Sequence, residues 1–135
     1  MRGLRLKWRY LPSSIDNPTW EQVAESLKKS KMKGGNVTIY NMEAEEPGIN
    51  RLTVEVDEDS GTFFPILLLN PKGMRFLENK HGSAERKEFN GSEVATGAIT
   101  DDLVTVLRLA KEFYETGDVK EMKEWKDMFF NTQAG

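Results

Sequence analysis

Residues 36–69 read NVTIYNMEAEEPGINRLTVEVDEDSGTFFPILLL. Apolar and polar side chains alternate at 37–40 and again at 51–56, and this period of two is typical of strands with one buried face. The run at 63–69 is almost wholly apolar, which predicts a strand covered on both faces, with either a bulge at its proline or a late beginning. The acidic segment 57–61 predicts a short hairpin loop. The stretch therefore predicts an antiparallel meander.

The residues before this meander predict a strand and a helix. Apolar and basic residues alternate at 4–10, which indicates a half-buried first strand. The helix that follows has two possible starts: Asn17 with a proline next to it, or Thr19 with Gln22 as a capping box. Two glycines at 34–35 end it.

The segment after the meander is less regular. Residues 74–77 are compatible with either a strand or a short helical turn. Residues 85–96 surround Asn90 and Gly91, a pair that favours the type I′ turn of a β-hairpin. These residues therefore predict a hairpin next to the main sheet.

The last part of the chain predicts two helices. Thr100 is the expected hydroxyl cap of a helix over 101–116, and Gly117 is its expected C-terminal stop. A short helix is expected from about 119 to 130. Its apolar side chains suggest that Trp125 folds back to cover the core.

The chain as a whole is predicted to be one α+β domain spanning 1–135, with 131–135 as a frayed tail. We expect an antiparallel twisted sheet of four to six strands, with the helix of 101–116 packed on one face. The residues expected in the core are Trp20, Leu27, Val54, Leu107 and Phe113.

Little in the sequence suggests catalysis. The chain has no cysteine and one histidine, His81, which we interpret as a surface residue. Asp57 and Asp59 begin like a calcium loop, but its glycine comes one position early and Leu68 occupies the position of the required glutamate. We therefore predict a protein that is not an enzyme and that has no metal site and no cofactor.

Composition also bears on location. The absence of cysteine suits a reducing compartment. The first residues alternate in charge and polarity, unlike a signal peptide. The longest apolar run, 63–69, is far shorter than the roughly 20 residues of a membrane span. We expect a cytoplasmic protein without a membrane partner.

Charge is distributed unevenly along the chain. Residues 1–40 contain eight basic and three acidic side chains, whereas residues 41–60 contain one basic and seven acidic side chains. The acidic side chains form two candidate partner-binding sites at opposite ends of one strand. These sites are Glu43, Glu45 and Glu46 in one loop, and Asp57, Glu58 and Asp59 in the next turn.

The basic opening of the chain carries the alternative function. Arg5, Lys7 and Arg9 share one face of the first strand and, with the lysines of the first helix, could bind nucleic acid. Trp8 and Tyr10 are expected on the opposite face, where they could not stack with bound bases. A small nucleic-acid-binding or adaptor module is therefore the less favoured interpretation.

A resemblance in the last third suggests a class. The residues 96–99 (TGAI), a helix ending in Phe113, Thr116 and Gly117, and then Trp125 resemble the closing pattern of immunity proteins of bacterial polymorphic toxins, including those of contact-dependent growth inhibition. The resemblance implies a protein that neutralises a cognate toxin by binding it, and it carries over no catalytic residue.

The toxin implied by this resemblance has its own chemistry. Many such toxins cleave nucleic acids with basic active sites, so an acidic loop would face that site. Between the two sites the sequence favours Glu43, Glu45 and Glu46, because Pro47 and Gly48 stiffen their loop. At Asp57 to Asp59 the geometry of the turn already explains the polar residues.

Overall fold

The computed structural model describes residues 3–43, 49–70, 73–78 and 85–124. Within them the chain forms eight strands: β1 (Leu4–Trp8), β2 (Ile15–Asp16), β3 (Val37–Asn41), β4 (Asn50–Asp57), β5 (Thr62–Leu69), β6 (Gly73–Phe76), β7 (Arg86–Phe89) and β8 (Ser92–Ala95). The helices are α1 (Trp20–Lys33) and α2 (Leu103–Thr116), with a single 3₁₀ turn at Thr96–Ala98.

Six strands form one antiparallel sheet in the order β2-β1-β3-β4-β5-β6, which confirms the predicted α+β fold. The bulge or late beginning predicted at Pro65 is wrong, because β5 begins at Thr62 and Pro65 lies in unbroken register opposite Val54. β6 pairs only from Ile66 onwards, so Pro65 has one neighbouring strand. A missing N–H is tolerated at such a position.

The two helices pack on one face of this sheet and enclose the main core. Leu27, Val54 and Phe113 are buried there as predicted. Trp20 and Leu107 were also predicted in the core. They pack against its margin but are only half-buried. The inward side chains of α2 that are fully buried are Val106, Leu109, Ala110 and Phe113.

Side-chain caps fix where the helices begin. Thr19 and Gln22 bond each other's backbone N–H at 3.1 and 2.9 Å, so the capping box starts α1. In α2 the cap is Asp102, whose Oδ1 accepts from the N–H of Val104 at 3.0 Å. The predicted cap at Thr100 is therefore wrong, because its hydroxyl instead accepts from the N–H of Asp102.

The C-terminal end of α2 agrees with its sequence. Gly117 adopts the left-handed conformation, with φ 80° and ψ 8°, and its N–H donates to the carbonyl of Phe113. Such a conformation suits glycine, which has no Cβ to clash, so the helix stops at the predicted residue.

The opposite face of the sheet, here called the helix-free face, is covered only in part. β7 and β8 form the predicted hairpin, with φ 48° at Asn90 and 88° at Gly91, as a type I′ turn requires. The Phe89 ring packs 5.7 Å from that of Phe64, which stacks on Phe76 at 6.0 Å. The hairpin therefore shields β5 and β6 and forms a second, smaller core.

The segment after α2 departs from the prediction. Residues 119–124 are not helical: Val119 and Met122 are buried, and the backbone of Lys123 pairs with that of Phe76 at 2.9 Å in both directions. The unpaired edge of β6 takes these hydrogen bonds, which a helix would have used internally. Trp125 and the predicted tail at 131–135 lie outside the described residues.

Candidate functional site

The second predicted acidic site lies in the turn between β4 and β5. The Oδ1 of Asp57 accepts from the N–H of Asp59 at 3.1 Å, and the Asp57 carbonyl accepts from Gly61 at 2.8 Å. The carboxylate of Asp57 thus holds the turn. Glu58 and Asp59 are exposed at its tip.

One lysine of α1 joins this turn to the start of α2. The Nζ of Lys31 donates to the carbonyls of Gly61 at 3.1 Å and Asp101 at 2.8 Å. It also lies 5.4 Å from the centre of the Phe63 ring. The backbone of Phe63 pairs with that of Thr100 at 2.7 and 3.0 Å. These bonds bring Asp101 and Asp102 beside the turn.

We call the resulting surface the acidic end. It consists of Asp57, Glu58, Asp59, Asp101 and Asp102. None of these five carboxylates belongs to an ion pair formed within the described part of the chain. The acidic end therefore has a net negative charge, because it places five carboxylates beside the single ammonium of Lys31, which also fixes its backbone.

Hydrogen bonds keep one of these carboxylates ionised. The hydroxyl of Thr105 donates to Asp102 Oδ2 at 2.9 Å, and this bond is the main reason that the pKa of Asp102 lies below its ordinary value. Burial raises the pKa of Asp102, but by less than the Thr105 hydroxyl lowers it. The backbone N–H groups of Val104 and Thr105 and the charge of Arg108 lower it further. Asp102 is thus anionic at neutral pH.

Sequence reasoning identified only part of the acidic end. In the sequence Asp101 and Asp102 are two acids at the start of a predicted helix, with no sign of a neighbouring turn. Their position beside the turn depends on the pairing of Phe63 with Thr100, which joins segments far apart in sequence. Two adjacent acids before α2 were the available signal, but a helix cap explained them without a partner.

The first predicted acidic site lies elsewhere. Glu43 is exposed just after β3, and its N–H donates to Asn41 Oδ1 at 2.9 Å. It is at the other end of β4 from the acidic end, as the meander predicted. Glu45 and Glu46 lie outside the described residues.

The predicted basic surface is divided by the sheet. Leu4, Leu6 and Trp8 point towards the helices, so Arg5 and Lys7 point to the helix-free face. The lysines of α1 are on the helix side, so Arg5 and Lys7 do not form the expected single patch with them. Strand and helix charges come together only where Arg9 and Lys33 lie at the ring of Tyr10.

Arg5 is neutralised within the sheet. Its Nε lies 2.6 Å from Asp16 Oδ1, and this hydrogen bond raises the pKa of Arg5 and lowers that of Asp16. Tyr10 was expected beside Trp8 on the inner side, but it follows the end of β1 and is 48% exposed. Arg9 and Lys33 each lie 5.4 Å from the centre of its ring.

Neither a metal-binding cluster nor a membrane-spanning helix is present in the described residues. No group of three or more histidine, cysteine or acidic side chains in this part of the chain is arranged to hold a metal ion. His81 lies outside it. Neither helix is long and apolar enough to cross a bilayer.

These features define a small α+β protein in which two helices cover one face of an antiparallel sheet and charged surfaces lie at its end and on its other face. The chain belongs to a family of proteins of unknown function, DUF6911, whose model matches residues 6–123.

A solved structure shares this fold. It is the crystal structure of a hypothetical protein from Neisseria gonorrhoeae, with a TM-score of 0.60 and 14% sequence identity. The match covers 86% of this chain and 88% of that one. No curated protein sequence matches the chain.

Proposed function

We propose that this chain neutralises a bacterial toxin by binding it directly in the cytoplasm, without catalysis of its own. The observation that carries the proposal is the acidic end, where two segments far apart in sequence place five carboxylates together. Of the two predicted acidic sites, the described geometry favours the one at Asp57, Glu58 and Asp59, because Asp101 and Asp102 enlarge it.

The physical basis is charge complementarity. A toxin that cleaves nucleic acid needs a basic active site to hold phosphates, and a surface with more carboxylates than cations attracts such a site over several ångströms. Held by Lys31 and by the Asp57 turn, the acidic end needs little ordering on binding. Less of the binding free energy is then lost to ordering this surface.

The resemblance of the last third supplies the class of partner. Thr96 to Ile99 and the end of α2 carry it, and these residues also have structural tasks: Phe113 is fully buried and Gly117 ends the helix. The proposal therefore combines a class suggested by resemblance with a surface suggested by geometry.

Charge reversal at the acidic end tests the proposal. Glu58, Asp59 and Asp101 would be changed together to lysine, while Asp57 and Asp102 are kept because they hold the turn and cap α2. Exposed charges contribute little to folding, so the variant should fold. Its association with the toxin encoded beside its gene should be at least about tenfold slower at low salt, and protection on co-expression should fail.

Two matched variants sharpen this test. Reversal of Glu78, Glu88 and Glu124, which are exposed outside the acidic end, makes the same change in net charge and should leave association nearly unchanged. Reversal of Glu43, Glu45 and Glu46 examines the other predicted site.

The possible failures differ. Slow association only in the variant of Glu43, Glu45 and Glu46 would move the contact to that loop. Full protection and unchanged association rates in the variant of the acidic end and in the variant of Glu43, Glu45 and Glu46 would exclude both acidic sites. Failure of the wild-type chain to bind the neighbouring toxin would refute the functional class.

A further inference from the structure

A cavity of about 290 Å³ opens on the helix-free face beside β1. It lies between β1, the loop that follows it and the start of β3, and we call it the β1 cavity. The polar side chains that matter are Lys7, Arg9, Ser13, Ser14, Thr38 and Tyr40. None of the described residues that line it is acidic.

The two cations of the β1 cavity are not neutralised by carboxylates. Neither Lys7 nor Arg9 takes part in an ion pair within the described residues. Lys7 lies over the ring of Tyr40 at 5.9 Å, and Arg9 over that of Tyr10 at 5.4 Å. Arg5, two residues from Lys7, is by contrast bound to Asp16. The positive charge of β1 is therefore concentrated at the cavity.

The cavity supplies many hydrogen-bond donors. An ammonium offers three N–H donors, a guanidinium five, and each hydroxyl one. Ser13 and Ser14 are exposed, while the hydroxyl of Thr38 lies 3.3 Å from that of Thr53. A carboxylate has two oxygens, whereas a phosphate has three or four, so a phosphate uses more of these donors.

We propose that the β1 cavity binds the phosphate group of a small phosphorylated ligand. Its volume lies near the lower end of the range for small-molecule sites, about 300–1,000 Å³. This site is independent of the acidic end and of the function proposed for it, since the two surfaces share no residue.

A nucleic-acid strand is the less suitable occupant. Single strands are held by a row of aromatic rings on which bases stack. Phe64 and Phe76, the rings that β5 and β6 place on the helix-free face, are buried under Phe89 of the hairpin. Tyr40 is half-buried and already has Lys7 over its ring. The described part of this face thus offers no open row of rings.

Titration with small anions tests the proposal. Inorganic phosphate, glycerol 3-phosphate and acetate would be added to the full chain at constant ionic strength, and the backbone amides followed by NMR. Both phosphate compounds should shift the amides of residues 7–14 and 36–40 with saturation, and acetate should bind at least about tenfold more weakly. This mapping needs no variant, so it holds whatever a substitution does to folding.

A pair of variants assigns the cations. Lys7→Gln with Arg9→Gln should weaken phosphate binding at least about tenfold. Lys28→Gln with Lys120→Gln removes two exposed charges away from the cavity and should leave the affinity within about twofold. An equal loss in both double variants would refute a specific site, as would shifts spread over the whole surface.

The competing ligand is an outcome of the same experiment. A single-stranded oligonucleotide of ten nucleotides should bind only through its phosphates. Its affinity should therefore not exceed the value expected from the number of phosphates that it carries. Tight oligonucleotide binding without a response to glycerol 3-phosphate would overturn the proposal in favour of a nucleic-acid surface. Absence of any saturable shift with phosphate would overturn it outright.

Discussion

The two faces of the sheet are built from the same strands but do different work. Along β4, Leu52, Val54 and Val56 point to the helices and are buried, whereas Thr53 and Glu55 point to the helix-free face and stay polar. α1 and α2 cover the helix side, whereas among the described residues only the β7–β8 hairpin covers the other side, over β5 and β6. The larger core therefore lies on the helix side, and the described part of the helix-free face is accessible at the β1 cavity.

The largest effect expected from this comparison is on the helix side. Leu109 is 1% exposed and Leu107 is half-buried, on the same helix. Leu109→Ala should lower the free energy of unfolding by about 2–5 kcal/mol, and Leu107→Ala by clearly less, because a cavity forms only where packing is complete. Urea denaturation of both variants measures the difference. Equal losses would show that burial does not separate the two positions.

An intermediate effect is expected in the hairpin that covers the other face. Gly91 has φ 88° and nothing within 4 Å of the position a Cβ would take, so Gly91→Ala changes backbone strain without a clash. We expect a loss of about 1 kcal/mol. Hydrogen exchange should quicken in β7 and β8 and stay slow in β3 and β4. Ser92→Ala, at an exposed neighbour, serves as the control; uniform quickening would contradict separate faces.

The smallest effect concerns a carboxylate on the helix-free face. Burial raises the pKa of Glu55, opposed by a weaker hydrogen bond from Asn90. The folded state therefore holds this proton more tightly than the unfolded state does. Its stability should fall as pH rises from the ordinary glutamate pKa through the raised value.

Glu55→Gln removes this titration. The variant should match the wild type near pH 4 and be slightly more stable at pH 7, as measured by the urea midpoint. A wild type that is the more stable protein at pH 7 would show that the Asn90 bond, and not burial, dominates.

Local signals predicted most elements of this fold. Period-two alternation located β1, β3 and β4. Residues that readily adopt positive φ located the type I′ turn at Asn90 and Gly91 and the end of α2 at Gly117. Elements that depend on distant partners escaped prediction. β2 is two residues long, Ile15–Asp16, and exists because Arg5 and Leu6 pair with it.

The same distinction separates what was foreseen of the surfaces. The acids of the β4–β5 turn and the basic residues of β1 were visible in the sequence. The residues around them could not be predicted. Lys31 links Asp101 to the turn, and Ser13 and Thr38 line the β1 cavity together with Lys7. The charges are visible in the sequence, but only the tertiary contacts show which of them form ion pairs.

Phe76 pairs with Lys123, so this position on the outer edge of β6 stays unpaired while the ribosome adds the residues between them. At about 5–20 residues per second this takes several seconds. Through that interval the nascent sheet presents an open strand that a neighbouring chain on the same messenger could extend. Once Lys123 is added, Phe76 is paired, and a neighbouring chain can no longer extend the sheet at that position.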